Sequence, residues 1–262
     1  MPSHLELLDW LAIRFQESGW NVKELNKLIV MSATYRQRSD VSKEVREKDP
    51  ENRLLSHSPA NRLTAEMIRD NALAASGLIN KRVGGKSVKP YQPDGLWEIN
   101  NTSYQRDSGD AVYRRSLYVI TKRSVPNPTL ATFDATSRSF CVVRRQKTNT
   151  PLQALVTLND PTFNEAMKVM GQQMASMKNT NDAIVMAYRR LTGRKPSPKE
   201  VVLLMDLQRK QVEKFSKEPG KALGWLAQGQ FVIDKKMDLT QISANAVVAS
   251  TILNSDASLT KR

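Results

Sequence analysis

The sequence predicts a mainly α-helical domain with a long loop-rich middle segment and one or two short strands. Apolar residues recur at helical spacing towards both ends of the chain. Between them, Val83-Gly84-Gly85-Lys86-Ser87 and the prolines Pro90 and Pro93 interrupt any regular pattern, and Tyr91 and Trp97 sit within that interruption. One stretch, residues 113–121, gathers β-branched and aromatic side chains as a strand does, and Pro126 and Pro128 end it.

Each element follows from local chemistry. Ser3 and Glu6 have the spacing of a capping box, which predicts a helix over 3–17 with Leu5, Leu7, Leu8, Leu11 and Phe15 as its apolar residues. Asn21 and Glu24 repeat that spacing and predict a second helix over 22–31, so the two form an antiparallel hairpin across Ser18-Gly19-Trp20-Asn21. Residues 36–50 carry balanced charge and end in Asp49-Pro50, the composition of a solvated loop. Leu63, Met67, Ile68, Ala72, Leu73 and Leu78 mark a third helix over 63–79, loosened at Gly77. Beyond Pro151 helices are expected over 152–158, 162–177, 182–192, 198–215, 222–230 and 239–253. Gly193 is placed to end one, and Ser197-Pro198 to open the next. The chain reads as one domain over 1–262, with sub-lobes 1–100 and 148–262 joined by a basic segment, 101–147.

Composition narrows the function classes. With 262 residues, 40% of them apolar, the chain can bury a sizeable core, and no run approaches the roughly 20 apolar residues of a membrane span. The net charge of +14 is unevenly spread: residues 1–100 hold 15 basic and 13 acidic side chains, whereas 101–150 hold 9 and 3. The single cysteine, Cys141, allows no internal disulfide, no multi-cysteine zinc site and no Cys-x-x-Cys-His haem attachment in this chain. In Phe140-Cys141-Val142-Val143 it reads as a small buried hydrophobe. Two histidines, His4 and His57, give little material for a metal centre or a triad, so neither a metal nor a cofactor is expected within this chain.

Several motifs together resemble one family. They are Arg144-Arg145-Gln146-Lys147-Thr148-Asn149-Thr150-Pro151-Leu152-Gln153, Phe133-Asp134-Ala135, and Ala65-Glu66-Met67-Ile68-Arg69-Asp70-Asn71-Ala72-Leu73, with Ser32-Ala33-Thr34-Tyr35-Arg36-Gln37 and Lys89-Pro90-Tyr91-Gln92-Pro93. In these the chain is similar to the planctomycete-type domain of unknown function 1553. The resemblance implies the C-terminal portion of a large multidomain envelope protein that also carries a cytochrome c module. It implies that Met1 is an internal start, that upstream domains are the partners, and that any haem c sits on one of them. The location would then be periplasmic or envelope; a chain complete as it stands would be cytoplasmic.

The candidate site is a polar constellation dominated by arginine: Arg69 and Asp70, Arg114 and Arg115, Asp134 and Arg138, then Arg144, Arg145, Thr148, Asn149 and Gln153. Arg62, Glu66 and Arg69 or Asp70 would share one helix face. One reading is a buried ion-pair network, for which the planar guanidinium is suited. The other is a cleft holding an anionic or polyhydroxylated ligand, helped by the free amides of the helix beginning near Pro151. The functional expectation is a non-catalytic binding or scaffold module. A polysaccharide-processing enzyme with an Arg/Asp-lined cleft is the alternative, although no sequence spacing marks a carboxylate pair. Nucleic-acid binding through the basic middle is disfavoured, because no helix-turn-helix or RNP-like pattern accompanies it.

Overall fold

The computed structural model describes residues 3–98 and 101–261. It is mainly helical, and its chain divides into two compact units, Met1–Asn61 with Thr260–Arg262, and Arg62–Leu259. Among the described residues the one sheet has two short strands, β1 (Asn61–Arg62) and β2 (Thr260–Lys261).

The first unit holds α1 (Leu5–Glu17), α2 (Val22–Met31) and α3 (Lys43–Lys48). The expected capping box on α1 does not form: His4 is the cap residue, and Ser3 Oγ instead lies 2.9 Å from His4 Nδ1. On α2 the cap forms as the spacing predicts, with Asn21 Oδ1 accepting from Glu24 N at 3.2 Å. The hairpin turn uses Gly19 and Trp20, both at positive φ, and Trp20 closes edge-on against Phe15 at 5.2 Å. Residues 43–48, expected as loop, form α3 because Ser42 caps Val45 N. No residue of these three helices is buried. Beyond α3, the buried Asp49 carboxylate accepts from Arg53 N, Leu54 N and Ser56 Oγ, and Asn52 brackets His57 through its backbone, so this histidine belongs to a tight turn.

The second unit contains α4 (Ala65–Ser76), α5 (Pro128–Thr132), α6 (Pro151–Asn159), α7 (Pro161–Ala175), α8 (Thr180–Thr192), α9 (Pro198–Lys217), α10 (Pro219–Leu226), α11 (Leu239–Leu253) and α12 (Asp256–Leu259). Its centre is the crossing of α7 and α11. A Cβ on Gly171 would stand 2.6 Å from Ile242 O and 2.7 Å from Ala246 N, so glycine is what lets the two backbones approach. Around that crossing Phe163, Met167, Met170, Met174, Val248 and Ile252 are buried, and α4 adds Ile68 and Ala72. Gly193 closes α8 in the left-handed conformation, and Ser197 with Glu200 completes a capping box on α9.

Four expectations for the second unit are corrected. Residues 113–121 do not form a strand: the 3₁₀ turns Gly109–Tyr113 and Ser116–Tyr118 break the stretch, which keeps single bridges from Asn80 to Arg114 and from Val88 to Val119. The reason is that α4 takes the backbone groups a ladder would need. Arg69 donates to the carbonyls of Val112 and Arg114, and Asp70 accepts from Ser116 N. Arg62 lies in β1 and not on α4, whose cap is Thr64. Residues 227–230 leave the helical path. Glu165 captures Gln230 N and Phe231 N while the buried Lys168 ammonium donates to the carbonyls of Leu226, Gln228 and Phe231. Finally, Cys141 is exposed rather than buried.

Candidate functional site

The structure sorts the polar constellation into three groups. The first is buried and structural. Arg69 sits inside the protein with its guanidinium 2.9 Å from Arg114 O, 3.2 Å from Ser116 Oγ and 2.6 Å from Val112 O, and it lies 3.9 Å from Asp70. Burial works against its charge and prevails, holding it below the ordinary arginine value, while the nearby carboxylates of Asp70 and Asp160 oppose that shift. Arg114, also buried, donates to the carbonyls of Arg82, Gly84 and Lys86 and lies 3.8 Å over the Tyr118 ring, which holds the glycine loop in place.

The second group closes a loop. Asp134, in the left-handed conformation at φ 61°, accepts from Thr148 N at 2.7 Å and from Thr148 Oγ1. Gln153, fully buried on α6, donates to Thr148 Oγ1 at 3.0 Å and to Thr132 O at 2.9 Å, and accepts from Arg62 at 2.8 Å. Thr148 is thereby held between Asp134 and Gln153. Asn149 and Arg144 are exposed.

The third group lines a cleft of about 740 Å³. One wall is α4, presenting Glu66, Met67, Asp70, Asn71 and Ala74. The segment from Arg115 to Thr121, α5, Arg138 and Arg145 line the rest of it. The volume is within the usual range for a small-molecule site, and the surface alternates apolar side chains with a few charged ones. Arg145 reaches Glu66 at 2.7 Å. Although partial burial pushes the Glu66 carboxyl up, the Arg145 bond prevails and holds it below its ordinary value. Arg115 and Arg138 are exposed and have no side-chain partner among the described residues. Glu66 and Asp70 stand one turn apart on a single helix face, so both line the cleft from α4.

Of the eleven residues singled out from the sequence, Asp70, Arg115, Arg138 and Arg145 therefore meet in the cleft, while Arg69, Arg114, Asp134, Thr148 and Gln153 support its surroundings. Sequence reasoning missed the apolar lining: Met67, expected in the core, is 56% exposed, and Leu117 is 69% exposed. The spacing of Met67 fits the α4 stripe, and only the packing direction of that helix turns it outwards. Glu165 and Lys168, both buried, were also passed over, because a helical charge at the i, i+3 spacing ordinarily reads as a solvated pair.

A family model described as a protein of unknown function (DUF1553) matches residues 1–207, a stretch that contains every residue of the cleft. No curated protein and no solved structure matches the chain.

Proposed function

The chain belongs to the DUF1553 family of proteins of unknown function, and from that premise we propose that it is a non-catalytic binding module whose cleft beside α4 holds an anionic ligand. The observation that carries this reading is the pair of unpartnered guanidinium groups, Arg115 and Arg138, at an apolar cleft of ligand size. Met67, Leu117 and Leu130 would pack against the body of the ligand. An enzymatic reading has less support, since a glycosidase needs carboxylates flanking the scissile bond, and Glu66 and Asp70 share one wall.

The scaffold part of the proposal, a module of a larger envelope protein beside a cytochrome c domain, rests on the family resemblance. It draws support from the first unit, where Leu5, Leu8, Trp10, Ile13, Trp20 and Val22 leave about half or more of their surface in water. Reading the gene upstream of Met1 tests it: an open frame running into a Cys-x-x-Cys-His segment is the expected result.

For the cleft, calorimetric titration with uronate and sulfated oligosaccharides and an aryl sulfonate, each beside its neutral counterpart, tests the ligand class. At least one anionic probe should bind and its neutral counterpart should not. Arg115→Ala should weaken that binding roughly 10- to 100-fold, the range of one lost charge-assisted hydrogen bond. Equal binding by the variant, or no binding of any anionic probe, overturns the reading.

A further inference from the structure

Residues 135–147 form a loop whose neck is built and whose tip is bare. At the neck, Asp134 binds Thr148 through its N–H and hydroxyl, Gln153 ties Thr148 to Thr132 O, and Arg145 is anchored on Glu66. Part-buried hydrogen bonds thus hold the two ends of this surface loop together. Beyond the neck the chain turns outwards. Phe140 is 73% exposed, Val142 47% and Val143 fully so, and Cys141 between them is exposed as well. Arg138 and Arg144 bracket this apolar tip, both exposed and without side-chain partners among the described residues.

We propose that this loop docks on an anionic lipid surface, with Phe140, Val142 and Val143 entering the interfacial zone and Arg144, the flanking arginine that does not line the cleft, meeting lipid phosphate. Charge complementarity selects this occupant. Three exposed apolar side chains lie between two exposed arginines in the sequence, Arg138 and Arg144, so apolar surface and positive charge are offered together. A protein partner of the same tip would instead need a groove to receive it. Since the inserted area is small, the binding should be weak, reversible and dependent on anionic lipid. No helix among the described residues is long and apolar enough to cross a membrane.

The single cysteine of the chain makes the test direct. The full chain, labelled at Cys141 with an environment-sensitive nitrobenzoxadiazole dye, is mixed with phosphatidylcholine vesicles with or without phosphatidylglycerol. Co-sedimentation of unlabelled protein is measured in parallel. Vesicles containing phosphatidylglycerol should sediment the protein and shift the dye emission to the blue, and phosphatidylcholine alone should do neither. Phe140→Asp with Val143→Asp should abolish sedimentation at an unchanged melting temperature, and Arg144→Gln should weaken it about fivefold. Because Arg144 lies outside the cleft, these results are independent of the ligand proposed there. Sedimentation that survives the double substitution would mean diffuse adsorption through the net charge of +14 and would sink the proposal. So would an unshifted dye on vesicles that contain phosphatidylglycerol, in which case a protein partner becomes the occupant to seek.

Discussion

Asp134 does two jobs at one position. Its short polar side chain makes the left-handed backbone at φ 61° tolerable, and its carboxylate closes the loop by binding Thr148. Asp134→Ala should therefore cost about 2–3 kcal/mol in urea unfolding, from the lost bonds of a charged acceptor together with the backbone conformation. Arg115→Ala, exposed and unpartnered, should stay within about 0.5 kcal/mol of the parent. A reversal of that order would mean the two residues had been assigned each other's role. Arg69 and Asp70 make the related point that neighbours in sequence can serve different ends. Arg69 is spent on the backbone of 112–116, whereas Asp70 gives one oxygen to Ser116 N and still lines the cleft.

At the scale of elements, the junction between α8 and α9 is held by Tyr188, Arg194 and Glu200. Arg194 lies 2.6 Å from the Glu200 carboxylate, Tyr188 donates to it at 2.5 Å, and the same carboxylate accepts from Ser197 N to complete the α9 cap. The Arg194 bond, with those from Tyr188 and Ser197, holds the Glu200 carboxyl far below its ordinary value despite partial burial. A depressed carboxyl stabilises the fold above its unfolded value of 4.5, and that contribution is lost as pH falls through the lower folded value. Thermal melts below pH 4.5 should thus fall more steeply for the parent than for Glu200→Gln; parallel curves would show that the cluster adds nothing. Burial, followed by the bond to Glu200, pushes the Tyr188 phenol up to about 12. Its contribution is full below its unfolded value of 10 and lost as pH rises through about 12.

The two units differ in how they are stabilised. The second has a continuous core around the α7–α11 crossing, whereas α1, α2 and α3 bury no residue. Local opening should follow that difference. In hydrogen exchange of the full chain, amides of α7 and α11 should exchange only by global unfolding, and those of α1 and α2 orders of magnitude faster. Comparable protection in α1 would mean that its exposed leucines and tryptophan are covered in solution. The family match ends at residue 207, within α9, yet α11 fills the centre of the core, so residues beyond the match are needed for the fold of the matched part.

What the sequence by itself determined is the part of this protein governed by interactions a few residues apart. The succession of helices after Pro151 follows from apolar spacing, and their ends follow from local caps such as Ser197 and Gly193. The mainly helical class and the loop-rich middle came from the same short-range signals. Tertiary structure decided what those signals cannot carry. It removed the strand from 113–121, because Arg69 and Asp70 on α4 compete for its backbone groups. It divided the arginines between buried braces and free groups at a cleft, since that depends on which carbonyls other segments bring near. It also placed Phe140, Cys141 and Val143 in water: an apolar run predicts burial only when another surface arrives to cover it, and the closed neck at Asp134 turns this one outwards.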